Sequence, residues 1–254
     1  MDEGRGPVRR AAEGPAAAAD RHTDPLMWPP YPQARSGAMS AFPDDAFVFL
    51  DPGPLVDNDL ELVAPAECWI DDLLAAANHP LSVARADPEI PPLTRAQLDG
   101  FLATCPGGRQ LPRYSCGGSP TYHFWMRLRP EFNPPVPMAG TISLRVGHTR
   151  DLEMYLGHIG YGVYPPARGH HYAERSCRLL LGLAVSHGLD PLWITTDPAN
   201  LASRRTCERL GAVLVEIVDV PRNHMLYARG QYRKCRYRLD LNRVSPVATS
   251  PGGT

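Results

Sequence analysis

Residues 157–211, GHIGYGVYPPARGHHYAERSCRLLLGLAVSHGLDPLWITTDPANLASRRTCERLG, decide how the rest of the chain is read. Ile159, Tyr161 and Val163 alternate with His158, Gly160 and Gly162, the period of a strand with one bulky face and one bare face. Glycines on one strand face mark a close approach by another group. Pro165 and Pro166, which lack ladder donors, end the strand. A short turn, Arg168, Gly169, His170 and His171, then leads into a helix predicted from Tyr172 to about His187. Its Ala173, Cys177, Leu180, Leu181 and Ala184 form a buried stripe, while Glu174, Arg175 and Arg178 face water. The open N–H groups and positive end of that helix, with Arg168 beside them, suit an anion such as a pyrophosphate. Gly188 stops the helix, Leu192–Thr195 is a short buried strand, and Asn200 caps a last helix, Leu201–Leu210, closed by Gly211.

Outward from this stretch, the pattern predicts strands over Leu60–Val63, Tyr122–Leu128, Ala139–Val146, 213–217 and Lys234–Leu241. Phe47, Phe49 and Leu50 read as a short strand or a packed entry. Two helices, Pro65 to about His79 and one started by Thr94, lie between the first two of these strands. Pro130–Pro137 is a proline-rich turn, Arg150–Leu156 a connection and Pro221–Gly230 a loop. The element order implies an α/β (α+β) domain with a mixed, mostly antiparallel sheet flanked by helices.

Composition narrows the class. The chain has 254 residues, 43% of them hydrophobic, enough for one substantial core. No apolar run approaches the roughly 20 residues of a membrane span. The N-terminus is polar, with Asp2, Glu3, Glu13 and Asp20, and does not read as a signal peptide. Residues 1–40 read as a disordered leader, with Met39 as a second candidate start, and 244–254 as a flexible tail, leaving 41–243 for the domain. Six cysteines without metal-site spacing read as reduced thiols of a cytoplasmic protein with no metal. A net charge of −1 gives no bulk attraction to nucleic acid.

The quoted stretch resembles the GNAT superfamily of acyl-CoA-dependent N-acyltransferases, in the branch whose strand reads GHIGYxVxP. The family's pyrophosphate loop, Q/R-x-x-G-x-G/A, is matched by Arg168 and Ala173, with His171 in place of the glycine between them. Residues 200–212, NLASRRTCERLGA, are similar to NxxAxxxYxxxGF, with Cys207 where many members carry tyrosine. The likeness extends from about Thr121 to Leu241. It implies a splayed sheet, an acyl-CoA-binding core over 157–211 and an acceptor wall over 80–113. It also implies acetyl-CoA as donor, held by Tyr161, Gly162 and Val163, by the loop Arg168, Gly169, His170, His171, Tyr172 and Ala173, and by Asn200 and Ser203.

Transfer to an amine needs a base and an acid. His158 is the first candidate base, or a histidine hydrogen-bonded within the sheet; Glu153, His123 or a water chain are alternatives. Cys207 is the candidate acid, or a small core residue, with Tyr161, Tyr164 and Tyr172 as substitutes. The leading reading is an N-acetyltransferase acting on a small-molecule amine, with a homodimer compatible. A second uses another donor such as aminoacyl-tRNA, met by Arg229, Arg233, Lys234, Arg236 and Arg238 interleaved with tyrosines, a cluster that otherwise reads as the charged face of an edge strand. A third is a non-catalytic acyl-CoA-binding module.

Overall fold

The computed structural model describes residues 47–84 and 91–243; the expected leader (1–40) and tail (244–254) lie outside the described residues. A two-residue strand β1 (Val56–Asp57) turns into β2 (Leu60–Val63). Helices α1 (Ile70–Ala77), α2 (Pro80–Val83) and α3 (Arg95–Thr104) follow. Pro80, expected near the end of a helix, instead opens α2 from its first turn, where its missing N–H costs nothing. Thr94 and Gln97 close a reciprocal capping box on α3. Strands β3 (Arg109–Gln110), β4 (Thr121–Leu128), β5 (Met138–Arg145) and β6 (Ile159–Val163) come next. The connection before β6, read only as a link, contains a π-helical turn, Leu152–Leu156. Then follow α4 (Tyr172–Ser186), β7 (Leu192–Thr196), α5 (Leu201–Arg209), β8 (Val213–Asp219), α6 (Met225–Ala228) and β9 (Arg233–Leu239). The α6 turn lies inside the segment read as a loop. Phe47, Phe49 and Leu50 form no strand but pack on the core, with the Leu50 N–H donating to the Tyr122 hydroxyl at 2.6 Å.

The strands form two antiparallel sheets, β1-β2-β4-β5-β6 with β3 beside β4, and β7-β9-β8. β9 is therefore the centre of its sheet, and the expectation of a charged edge strand fails because β8 takes the edge.

The pleat divides the first sheet into two faces. Tyr122, Phe124, Ile142, Leu144 and Tyr161 share the face toward α4 and α5, where Tyr122 meets His187 at 2.7 Å and Tyr161 meets Ser203 at 2.9 Å. The opposite face carries His123, Thr141, Ser143, Arg145 and the bare Gly160 and Gly162. There Phe101 of α3 lies edge-on to His123, and Trp69 just before α1 stacks on Arg127.

Candidate acyl-donor site

β6 and β7 start side by side and then part. The His158 N–H donates to the Trp193 carbonyl at 2.7 Å, and the Trp193 N–H donates back to His158 Nδ1 at 2.8 Å. His158 Nε2 completes the join to the Gly147 carbonyl at 2.9 Å, which makes Nε2 the protonated nitrogen and Nδ1 the acceptor. Gly157, at φ +72°, leaves room for β7: a Cβ there would lie 2.9 Å from the Thr195 nitrogen. Beyond this join the two strands share no ladder.

That divergence exposes one edge of β6. The carbonyl of His158 accepts from Arg145 N–H and the N–H of Tyr164 donates to Ala139, so even-numbered residues of the strand address β5. Ile159, Tyr161 and Val163 therefore turn their N–H and C=O groups into the gap. Gly162 turns its own toward β5, where a Cβ on Gly140 would run into the Gly162 carbonyl.

At the far end of β6 lies the loop. Pro165–Ala167 makes one 3-10 turn, and Arg168 Nε donates to the Val163 carbonyl at 3.2 Å, tying the loop to the gap-facing edge. Gly169 has φ +94° and His171 φ +60°. The second value explains why the family motif has glycine here, since the left-handed region is open to glycine at no steric cost; histidine enters it at some cost. The backbone turn survives the substitution, and the His171 ring stands outward, 3.8 Å from Glu174. His170 stacks on Tyr172 at 5.5 Å between centroids. No side chain caps α4, so the N–H groups of its first turn, including those of Tyr172 and Ala173, are open to an anion. Tyr172 itself is turned away, donating to Asp59 at 2.6 Å within an ion network of Arg175, Asp57 and Asp59.

On the other side of the gap, Asn200 caps α5 by accepting from the Ser203 N–H at 3.0 Å. The Tyr161 hydroxyl meets Ser203 Oγ, and Cys207 lies one turn further along, fully buried, its thiol pushed up to about 12 by burial. His158 is equally buried, and burial pushes its ring down to about 4. His123 is pushed down to about 3 by burial and the nearby Arg145 charge, and its Nε2 lies 3.1 Å from Gln110. Glu153 lies 3.4 Å from His148, and Tyr164 is pushed above the range of a useful acid by burial.

The basic residues of β9 do not make one exposed face. Lys234 is 1% exposed, and Arg236 sits over the Trp193 ring while pairing with Glu216. Arg238 pairs with Asp240 at 2.7 Å. Among the described residues no group of three or more His, Cys, Asp and Glu side chains suits a metal ion, and no helix is long and apolar enough to cross a membrane.

Among known proteins, the family described as Acetyltransferase (GNAT) domain matches residues 59–213. No curated protein matches the chain by sequence. Solved structures share its fold. The microcin C7 self-immunity acetyltransferase MccE, in complex with acetyl-CoA and AMP, is 15% identical with a TM-score of 0.52, covering 72% of this chain and 93% of its own. A Vibrio cholerae protein assigned as a ribosomal-protein-serine acetyltransferase is 16% identical with a TM-score of 0.53, covering 75% and 99%. A GNAT-family acetyltransferase from Bacillus anthracis is 14% identical with a TM-score of 0.50, covering 74% and 99%. With the family match spanning more than half the chain and agreeing with the splayed sheet and the open α4 terminus, the protein belongs to the GNAT acetyltransferase family and is an acyltransferase.

Proposed function

We propose that the chain transfers an acetyl group from acetyl-CoA to the amine of a small molecule. The observation that carries this reading is the unladdered edge of β6, which leads from the uncapped start of α4 down to the closed join at His158. A pyrophosphate suits the α4 end, beside Arg168. A pantetheine arm suits the Tyr161 and Val163 backbone groups, and a thioester bound there would lie toward the join. A new N–C bond then forms as the C–S bond breaks, and the amine's proton passes to the departing thiolate.

Neither buried candidate suits that proton transfer. His158 has both ring nitrogens engaged in the join, and we assign it the role of a sheet pin. Cys207 sits in the core with its thiol held protonated far above neutrality, so we assign it to packing. Proton removal by water entering the gap fits this arrangement. Cys207→Ala should then keep kcat within about threefold; a fall of about a hundredfold would return the acid to Cys207.

Calorimetry with acetyl-CoA, at two salt concentrations, tests the donor. Micromolar binding is expected, and Arg168→Ala should weaken it roughly tenfold or more while leaving the unfolding midpoint in place. Binding of aminoacyl-tRNA with steep salt dependence, and none of acetyl-CoA, would replace the donor assignment. Tight acetyl-CoA binding without turnover on a broad amine panel would instead make this a binding module.

A further inference from the structure

Arg145, the last residue of β5, is 4% exposed and pairs with no carboxylate among the described residues. Its Nη1 donates to the carbonyls of Leu156 at 3.4 Å and Gly157 at 3.2 Å, long contacts at the end of the π-helical turn. Its Nε and Nη2 find no protein acceptor among the described residues. Arg236, the other arginine buried to this degree among the described residues at 7% exposed, has Glu216 as its counterion. A guanidinium taken out of water without an anion is costly, and two carbonyl dipoles offset only part of that cost.

A second orphan lies on the same face of the sheet. Thr121 is the cross-strand partner of Arg145, and the ladder continues one step further, with Val146 N–H donating to Pro120 at 2.8 Å. That continuation places Ser119 on the face of Thr121 and Arg145. Ser119 is fully buried and its hydroxyl has no hydrogen-bond partner among the described residues. The rest of this face is polar or bare, with Ser143, Thr141, Gly160 and Gly162 next along the ladder. His123 adds no charge here, since burial and the Arg145 charge hold its ring neutral. The location is the closed end of β6, since Arg145 is the ladder partner of His158, while the loop for the phosphates lies at the opposite end.

We propose that Arg145 and Ser119 receive the carboxylate of the acceptor, so that the substrates are amines that also carry a carboxylate. This deepens the acetyltransferase reading and rests on it for the placing of the amine. The two free N–H groups on one edge of a guanidinium match the two oxygens of a carboxylate, and the Ser119 hydroxyl supplies a third donor. A free amino acid and a peptide with an acidic residue near its N-terminus present the same chemistry. The free amino acid carries its carboxylate on the carbon that bears the amine, and it is the source proposed.

The test titrates the standard amino acids, their α-carboxamides and short peptides starting Ser-Asp or Ala-Glu into the protein, with and without saturating CoA, and follows acetylation of each. At least one carboxylate is expected to bind and to react about a hundredfold or more better than its carboxamide. Arg145→Gln should abolish that preference by raising KM for the carboxylate, while acetyl-CoA affinity stays within about threefold. Arg145→Lys keeps the charge but not the fork and should recover part of it, and Ser119→Ala should raise KM about tenfold with unchanged unfolding. Should Arg145→Gln fail to fold, the wild-type preference and Ser119→Ala decide alone. Equal use of carboxylates and carboxamides by an active wild type overturns the proposal and leaves the acetyltransferase reading in place. Absence of acetyl-CoA binding overturns that reading instead, and carboxylate preference in the CoA-free protein then still decides this one. A preference confined to the peptides overturns the free amino acid as the source.

Discussion

His158→Ala should destabilise the protein by about 3 kcal/mol or more, because two buried backbone groups, Trp193 N–H and Gly147 C=O, lose their partner at once. In a chain of this size that corresponds to a fall in Tm of about 6–12 °C. His158→Asn, which again offers one acceptor and one donor, should recover part of the loss. The same histidine makes stability depend on pH. Burial keeps the folded ring neutral down to about 4, whereas the unfolded chain takes up its proton near 6.5. Its contribution is therefore complete above about pH 6.5 and is lost as pH falls toward 4. Between about pH 7.5 and pH 5 the loss is about 2 kcal/mol from His158, with as much again from His123, whose ring is depressed in the same direction. Urea unfolding at the two pH values measures it, and His158→Asn should show roughly half the wild-type loss. An unchanged midpoint in His158→Ala, together with a flattened neutral limb of the pH–rate profile, would show a base rather than a pin.

Gly140→Ala is expected to cost about 3 kcal/mol, the upper end of what overpacking does. The added Cβ meets the Gly162 carbonyl, and neither atom belongs to a side chain that could swing away. Relief requires β5 and β6 to separate where β6 presents Tyr161 and Val163 to the gap. Acetyl-CoA affinity should therefore fall about tenfold or more even in the folded fraction. Gly182→Ala in α4 is the control: nothing lies within 4 Å of its Cβ, and a helix-interior glycine replaced by alanine should gain about 0.5–1 kcal/mol. Equal stability and affinity for Gly140→Ala and the wild type would refute the close approach of the two strands.

Gly140 and His158 also show how far local sequence carries. That residue 140 has to be glycine is not legible in β5 itself. Gly140 and Gly162 are distant in the chain, and only the β5–β6 register brings them together. His158 is open between a base and a sheet pin for the same reason: its ring partners, Trp193 N–H and Gly147 C=O, come from a later strand and an earlier loop.

By itself the sequence determined the order of the strands from β4 to β9 with helices α4 and α5 among them, the caps at Thr94 and Asn200 and the tight turn before α4. Each of these depends on residues within a turn or two of one another, so periodicity, proline placement and capping chemistry express them locally. The short β1, β3 and α6 and the π-helical turn carry too few residues for a period to show. Only the tertiary structure decided that β9 is central, that the ring of His158 and the thiol of Cys207 are buried, and that Arg145 shares a sheet face with a Ser119 hydroxyl that has no partner among the described residues. Hydrogen-bond partners and loss of water depend on strands far apart in the chain, and those two quantities set what a histidine, a thiol or a guanidinium can do.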